Sequence, residues 1–165
     1  VMRLMNLMCL GVCAFLVACD IPLDVDDNKN DDKSGDASSI TLNFEGEAVS
    51  LDGGPATRGG GQITINGGSN SAGIIRIVIS GTTTGTYDIN SAGLTFTSAA
   101  GQMHTAATAD DLEHGAKLSV EITEVSPELK GTFSATVIQS YDPNFTAKEI
   151  TSGVINITGT DYVNL

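Results

Sequence analysis

From residue 40 onward, apolar and polar residues alternate in short runs separated by turn-forming residues. Ile40, Leu42 and Phe44 share one face of a predicted strand, and Glu45-Gly46 is a predicted tight turn. Further apolar positions mark later strands: Val49, Leu51, Ile63, Ile65, residues 74–80, Tyr87, Ile89, Leu94, Phe96, Leu118, Val120, Ile122, Phe133, Ala135, Val137, Ile155 and Ile157. About eight or nine strands at such spacing predict an all-β domain over residues 40–165, an antiparallel β-sandwich of the jelly-roll or immunoglobulin-like kind.

Two segments break this alternation. Residues 52–61, with the sequence DGGPATRGGG, are rich in glycine and are predicted to form a loop. Thr108 and Asp111 have the spacing of a capping box, and Gly115 suits a helix end, so one short helical turn is predicted there. Leu112 is the one apolar residue in this segment, which is too little to anchor a longer helix.

The first 18 residues have the pattern of a secretory signal peptide. Arg3 supplies a positive charge, and the apolar stretch of residues 4–18 is interrupted only by Asn6. A stretch of this length is too short to span a bilayer comfortably as a helix. A charged start, a short apolar centre and small residues before a cleavage point predict a signal peptide that is removed.

The residues Leu16-Val17-Ala18-Cys19 resemble the lipobox of bacterial lipoproteins. The resemblance implies that the Cys19 thiol is joined to diacylglycerol, that cleavage occurs before it, and that the new amino group is acylated. Several acyl chains hold a protein on a membrane far more firmly than one chain does. An ordinary secretory signal with an incidental cysteine and a buried core helix are the alternatives. On the lipoprotein interpretation Cys9 and Cys13 leave with the signal, so the mature chain has no disulfide.

Residues 19–39 are predicted to be a disordered acidic tether, because seven of residues 20–39 are Asp and two are Lys. Residues 24–28 also look like the opening of a calcium loop, but Lys29 and Gly35 occupy the positions of its glycine and its bidentate glutamate. Acid-rich stretches after a lipidated cysteine resemble surface-export signals of Bacteroidota lipoproteins. Here residues 21–23 separate Asp20 from the main acidic run.

The net charge of −12 and the pI near 4.2 argue against nucleic acid and anionic headgroups as partners. The expected partner is the lipid bilayer, reached through the N-terminal acyl chains, with a glycan or an envelope protein as a further partner. We expect the protein in the cell envelope, anchored in the outer membrane. The surface and the periplasmic faces both remain open.

Five segments of the predicted strands resemble a domain-of-unknown-function family found in Bacteroidota lipoproteins: FEGEAVSL, GTYDIN, KLSVEIT, LKGTFSATV and ITSGVINI. The matching residues are 85–87, 118–123, 131–133 and 153–157, and Ile155 stands where an aromatic residue is common. The resemblance implies a β-sandwich-like lipoprotein domain with no assigned activity and no catalytic residues. Tyr87 and Phe133 are expected to point inward as core residues.

Neither a metal site nor a catalytic site is predicted. His104 and His114 flank Asp110, Asp111 and Glu113, and a zinc site would need three or four of these to converge. Their separation is not a recognised ligand spacing, and a solvated polar loop is the alternative. The sequence contains no G-x-S-x-G, H-E-x-x-H or P-loop motif. We therefore expect a non-enzymatic protein without a cofactor, and a hydrolase, metal-dependent or other, is the least favoured alternative.

The segment YDPNF at residues 141–145 is the candidate ligand site. Sugar-binding domains usually stack the sugar ring on exposed aromatic side chains, and this chain has no Trp. Tyr141, Phe145 and Tyr162 are therefore the outward aromatic candidates, with Asp142 and Asn144 as polar neighbours. The same residues suit a plain type I turn. The expected function is structural or ligand-binding, and glycan capture at this loop is the alternative.

Overall fold

The computed structural model describes residues 37–165. The predicted signal peptide (1–18), the lipidation site Cys19 and residues 20–36 of the predicted tether lie outside the described residues. The first strand begins at Ser39, next to the predicted domain boundary. The Ser38 side chain already belongs to the folded part, because its hydroxyl donates to the Thr158 carbonyl oxygen and accepts from the Thr158 amide.

Twelve strands and one short helix make up the described part of the chain. In chain order they are β1 (Ser39–Phe44), β2 (Glu47–Gly53), β3 (Ala56–Gly59), β4 (Gln62–Ser69), β5 (Gly73–Ile79), β6 (Gly85–Asp88), β7 (Ala92–Ser98), β8 (Met103–Ala106), α1 (Ala109–Glu113), β9 (Lys117–Glu124), β10 (Leu129–Gln139), β11 (Ala147–Ile157) and β12 (Tyr162–Asn164). A 3-10 turn at Gly159–Asp161 precedes β12. The all-β prediction is confirmed.

Eight of these strands close into an antiparallel barrel. The pairing order is β11-β1-β2-β4-β5-β7-β8-β10, and β10 pairs in turn with β11, which completes the ring. The predicted sandwich of two separate sheets is therefore wrong. Alternation within a strand has the same period in a sandwich and in a barrel, so it does not distinguish the two. The distinction depends on which strands pair laterally.

Two of the strand pairings that close the barrel are short, and we call them seams. The β2–β4 seam consists of the pairs Asp52–Gly68 and Gly53–Gly67. The β8–β10 seam consists of Ile138–Thr105 and Gln139–His104. The neighbouring pairing of β4 with β5, by contrast, extends over seven residue pairs. Two broad sheets thus meet at two short seams, so the barrel retains part of the layered arrangement of a sandwich.

The seams are short because β4 and β10 each divide one edge between two partners. Along β10, the stretch Lys130–Thr136 pairs with β9, which carries β6 on its far side. Along β4, the stretch Gln62–Thr64 pairs with β3, and β3 pairs in parallel with β12. The predicted loop at residues 52–61 therefore contains strand β3, and β12 was also missed. These two strands are too short to show a repeating alternation.

The barrel interior is filled by aliphatic side chains, as the alternation predicts. Ile40, Ile63, Ile65, Ile75 and Ile77 are fully buried. The motif aromatics also point inward: Phe133 is buried, and Tyr87 packs half-buried against the core. Gly153 leaves room for this packing, because a Cβ at this position would lie 2.5 Å from the Phe133 ring. The aromatic residues of the short β-motifs thus serve the core, as predicted.

Candidate functional site

A surface groove of about 530 Å³ lies where β8, α1 and the segment after β10 meet. Its floor includes the outward-facing side chains of Met103 and Thr105 on β8. Ile138 and Gln139 at the end of β10 continue the floor, and Tyr141 belongs to the opposite wall. The volume lies in the range that small-molecule sites occupy.

Helix α1 forms one wall of the groove, and its start is built as the sequence predicts. Thr108 is the N-cap, its hydroxyl accepts from the Asp111 amide, and the Asp111 carboxylate accepts from the Thr108 amide. The same carboxylate accepts from the Ala107 amide and the Thr105 hydroxyl. Burial raises the pKa of Asp111, but these hydrogen bonds outweigh it and hold that pKa below its ordinary value.

The other wall is the loop 140–146, which Asp142 organises. Its carboxylate accepts from the amides of Asn144 and Thr146, both at 3.0 Å, and weakly from the Asn144 side-chain amide. Hydrogen bonds from Thr146 and Asn144 hold the pKa of Asp142 below its ordinary value. The loop is tied to β8 as well, because the Ser140 amide donates to the Met103 carbonyl oxygen.

Two aromatic residues of this loop have left-handed backbone conformations. Tyr141 has φ of 62° and Phe145 has φ of 52°. Positive φ is unusual for bulky residues, and such strained positions cluster at functional sites. The Tyr141 side chain is 96% exposed, whereas Phe145 stacks against the His114 ring at the end of α1. The loop therefore fixes Phe145 and presents Tyr141 to solvent beside the groove.

The structure places the predicted site residues in different roles. Tyr141 and Asp142 line the groove, whereas Asn144 lies outside its lining and supports Asp142. The carboxylate of Asp142 is engaged within the loop, so its observed role is to shape the loop. Tyr162 is not the outward candidate that the sequence indicated, because it packs half-buried against the core and donates its hydroxyl to the Val125 carbonyl oxygen.

The two histidines do not form a common site. His104 is buried in the barrel with its ring beside Phe44 and Phe96, whereas His114 stacks on Phe145 near the surface. Asp111 is engaged in helix capping. No group of three or more metal-ligating side chains occurs among the described residues.

Sequence reasoning missed the groove residues that do not belong to the loop. Met103, Thr105 and Ile138 reach the site because β8 pairs with β10 at the seam. Their positions in the chain are far apart, and none of them belongs to a recognised motif. The capping box was one available signal for this wall of the groove. It locates α1, and Asp110 of that helix lines the groove.

Comparisons with protein-family models, with curated proteins and with solved structures find no significant match to this chain. No helix within residues 37–165 has the length and hydropathy needed to cross a membrane.

Proposed function

We propose that this chain is a lipid-anchored, non-enzymatic protein of the cell envelope whose barrel carries a ligand-binding groove. The anchor rests on the Leu16–Cys19 pattern at the end of an apolar stretch. The binding role rests on one observation, the 96% exposed Tyr141 held beside a groove by a loop with two left-handed aromatic residues. The resemblance to Bacteroidota lipoprotein domains of unknown function stays a prediction and agrees with this assignment.

The anchor is tested on the mature N-terminus. Mass spectrometry of the protein purified from membranes should detect a diacylglycerol-modified and acylated Cys19 as the first residue. The C19S variant should lose this modification and leave the membrane fraction. An unmodified N-terminus that starts at another residue would refute the anchor. Protease treatment of intact cells then distinguishes the surface-exposed from the periplasmic location in the outer membrane.

For the groove, the ligand class that we favour is a carbohydrate of one or two sugar units. A sugar ring offers an apolar C–H face to an aromatic ring and hydroxyl groups to polar side chains. Tyr141 supplies the aromatic face, and Ser140 and Asp110 supply polar groups on the groove lining. Met103 and Ile138 supply apolar surface between them. This mixture of apolar and polar groups is typical of sites for small amphipathic ligands.

A glycan array followed by calorimetry tests this ligand class. The Tyr141→Ala variant should weaken binding about tenfold or more, which corresponds to about 1.4 kcal/mol. The Tyr141→Phe variant keeps the ring and should retain most of the affinity. Ile74→Ala is a matched control, because Ile74 is also exposed (61%) but lies outside this groove. Binding that survives Tyr141→Ala, or an array without any bound glycan, would dismiss carbohydrate capture at the groove.

A further inference from the structure

His104 lies at the β8–β10 seam and points into the barrel. It pairs with Gln139 in one of the two residue pairs that close the ring on this side. Its neighbours in β8, Met103 and Thr105, face outward and line the groove. His104 is 1% exposed, so a titratable group is buried at one of the two shortest strand pairings of the barrel.

Two aromatic rings flank the His104 ring. The ring centroid of Phe44 lies 5.0 Å away and that of Phe96 lies 6.4 Å away. Among the described residues, neither ring nitrogen of His104 has a hydrogen-bond partner. A neutral imidazole in such a place already lacks partners, and an imidazolium would bury a charge together with two unpaired N–H donors.

The charged groups around His104 do not offset the free-energy cost of a buried positive charge on its ring. Burial is the main cause that lowers the pKa of His104, Lys148 on β11 lowers it further, and Glu45 in the β1–β2 turn opposes both. The Glu45 carboxylate is engaged with the Lys148 ammonium at 2.9 Å and with the Glu149 amide at 2.9 Å.

Within residues 37–165, the neighbouring strands bring no other charge to the ring, since Glu47 on β2, the partner of Phe44, is exposed. Strands β1 and β7 contain no titratable side chain, and β8 contains only His104. Lys130, the one titratable residue of β10, pairs with Glu124 and Glu128 near the other end of that strand. Glu149 on β11 accepts a hydrogen bond from the Thr136 hydroxyl.

We propose that protonation of His104 opens the β8–β10 seam, so that the seam, closed at neutral pH, opens increasingly often under mildly acidic conditions. An imidazolium must reach water or an acceptor, and separating β8 from β10 breaks two residue pairs, whereas separating β8 from β7 breaks four. Local opening of this kind occurs at the least stable part of a fold. Histidine is the side chain whose ordinary pKa places such a change in the mildly acidic range.

Opening of the seam also affects the groove, and this consequence rests on the proposed function. Met103 and Thr105 form the floor on one side of the seam, and Ile138 and Gln139 form it on the other. Separation of the strands would divide the floor, and a bound ligand would be released. The seam itself can be measured without any ligand, so a failure of ligand binding leaves the test of the seam intact.

Amide hydrogen exchange of the mature protein tests the proposal. The probe is the Ser140 amide, which donates to the Met103 carbonyl across the seam. The internal control is the Gly54 amide, which donates to the Asn66 carbonyl next to the β2–β4 seam. After correction for intrinsic exchange, the Ser140 opening constant should rise by up to about tenfold per pH unit below the ordinary histidine pKa of about 6.5. Equal changes at Ser140 and Gly54 would mean global unfolding and would overturn the proposal.

Two substitutions of His104 and one control variant complete the test. His104→Phe and His104→Leu keep an apolar side chain in the cavity and should abolish the pH dependence at Ser140. His114→Phe removes the other histidine of the chain but keeps a ring against Phe145, so it should leave the pH dependence at Ser140 unchanged. Pronounced pH dependence that persists in a folded His104 variant, or that disappears in His114→Phe, would overturn the proposal. If neither His104 variant folds, the comparison of Ser140 with Gly54 in the unmodified sequence still decides.

Discussion

The His114 ring lies flat against the Phe145 ring, with the ring centroids 3.5 Å apart and the planes inclined by 11°. This contact joins the end of α1 to the loop 140–146 and therefore connects the two walls of the groove. Phe145 is 41% exposed, so the stacked pair is accessible at its edge. The contact fixes the loop on which Tyr141 is presented.

Phe145→Ala should lower the free energy of unfolding by about 0.5–1.5 kcal/mol, the range measured for aromatic pairs. It should also increase amide exchange in residues 140–146, because the loop loses its contact with α1. Denaturant unfolding measures the first effect. Tyr141→Ala is the control: since that side chain is 96% exposed, its removal should change stability by less than about 0.5 kcal/mol. Equal losses in both variants would contradict the structural role assigned to the stacked pair.

Asp111→Asn should destabilise the protein by about 1–3 kcal/mol at neutral pH. The carboxylate accepts hydrogen bonds from two backbone amides and one hydroxyl, and an amide group offers one acceptor oxygen where two are used. Asp110→Asn is the matched control, because the Asp110 side chain is 72% exposed and should change stability by less than about 0.5 kcal/mol. Urea unfolding of both variants at pH 7 measures the difference.

Asp111 should also make the protein lose stability in acid. Because the pKa of Asp111 is lowered in the folded protein, its contribution is fully present above the ordinary aspartate value of about 3.9 and is lost as the pH falls through the folded pKa. The Asp111→Asn variant should therefore lose less stability than the unmodified protein below about pH 4. Unfolding curves between pH 3 and pH 5 would contradict this if the two proteins lost stability in parallel.

Gly131→Ala should destabilise the barrel by about 1–3 kcal/mol or more. A Cβ at this position would collide with the Glu121 carbonyl oxygen on the paired strand β9, and backbone atoms in a sheet move little. Gly68→Ala is the control, since its Cβ would meet Ile74 at an ordinary 3.6 Å. Thermal unfolding should show a clear decrease for Gly131→Ala and little change for Gly68→Ala. Similar effects of both substitutions would mean that β-propensity, and not the close approach, matters here.

Lys148→Gln and Glu45→Gln should change the acid-driven opening of the seam in opposite directions. In the closed barrel the positive charge of Lys148 lowers the pKa of His104, so its removal lets the closed barrel hold the proton more readily and should reduce the rise of the Ser140 opening constant in acid. The negative charge of Glu45 raises that pKa, so its removal should enlarge the rise. Each residue is partly exposed, and loss of the ion pair alone should cost about 1 kcal/mol or less. Changes in the same direction would contradict a charge effect on His104.

Several local features could be read from the sequence because a few adjacent residues determine them. The Glu45-Gly46 turn is present, and Gly46 has φ of 86°. The capping box at Thr108 and Asp111 starts α1 as predicted, and Gly115 follows the helix with φ of 89°. The inward positions of Ile40, Leu42 and Leu118 follow from alternation alone, since successive side chains of a strand point to opposite faces. The interpretation of Cys19 as a lipidation site also comes from the sequence alone.

The site could be predicted only in part. Tyr141 was identified as an exposed aromatic residue because a turn rich in Asp, Pro and Asn lies at the surface. The groove beside it could not be foreseen, because Met103 and Ile138 approach each other only when β8 pairs with β10. Asp142 was assigned to the ligand, whereas the structure uses both of its oxygens to hold the loop.

The sequence by itself determined the strand character, the inward face of most strands, the turns and the short helix, because these features depend on neighbouring residues and on a period of two. The tertiary structure alone decided that the sheet closes into a barrel, that β4 and β10 each serve two partners, and that His104 is buried at a seam. Such features depend on pairing between distant segments. The free energy of each strand pairing depends on the rest of the sheet. The alternation along a single strand is compatible with several arrangements of this kind.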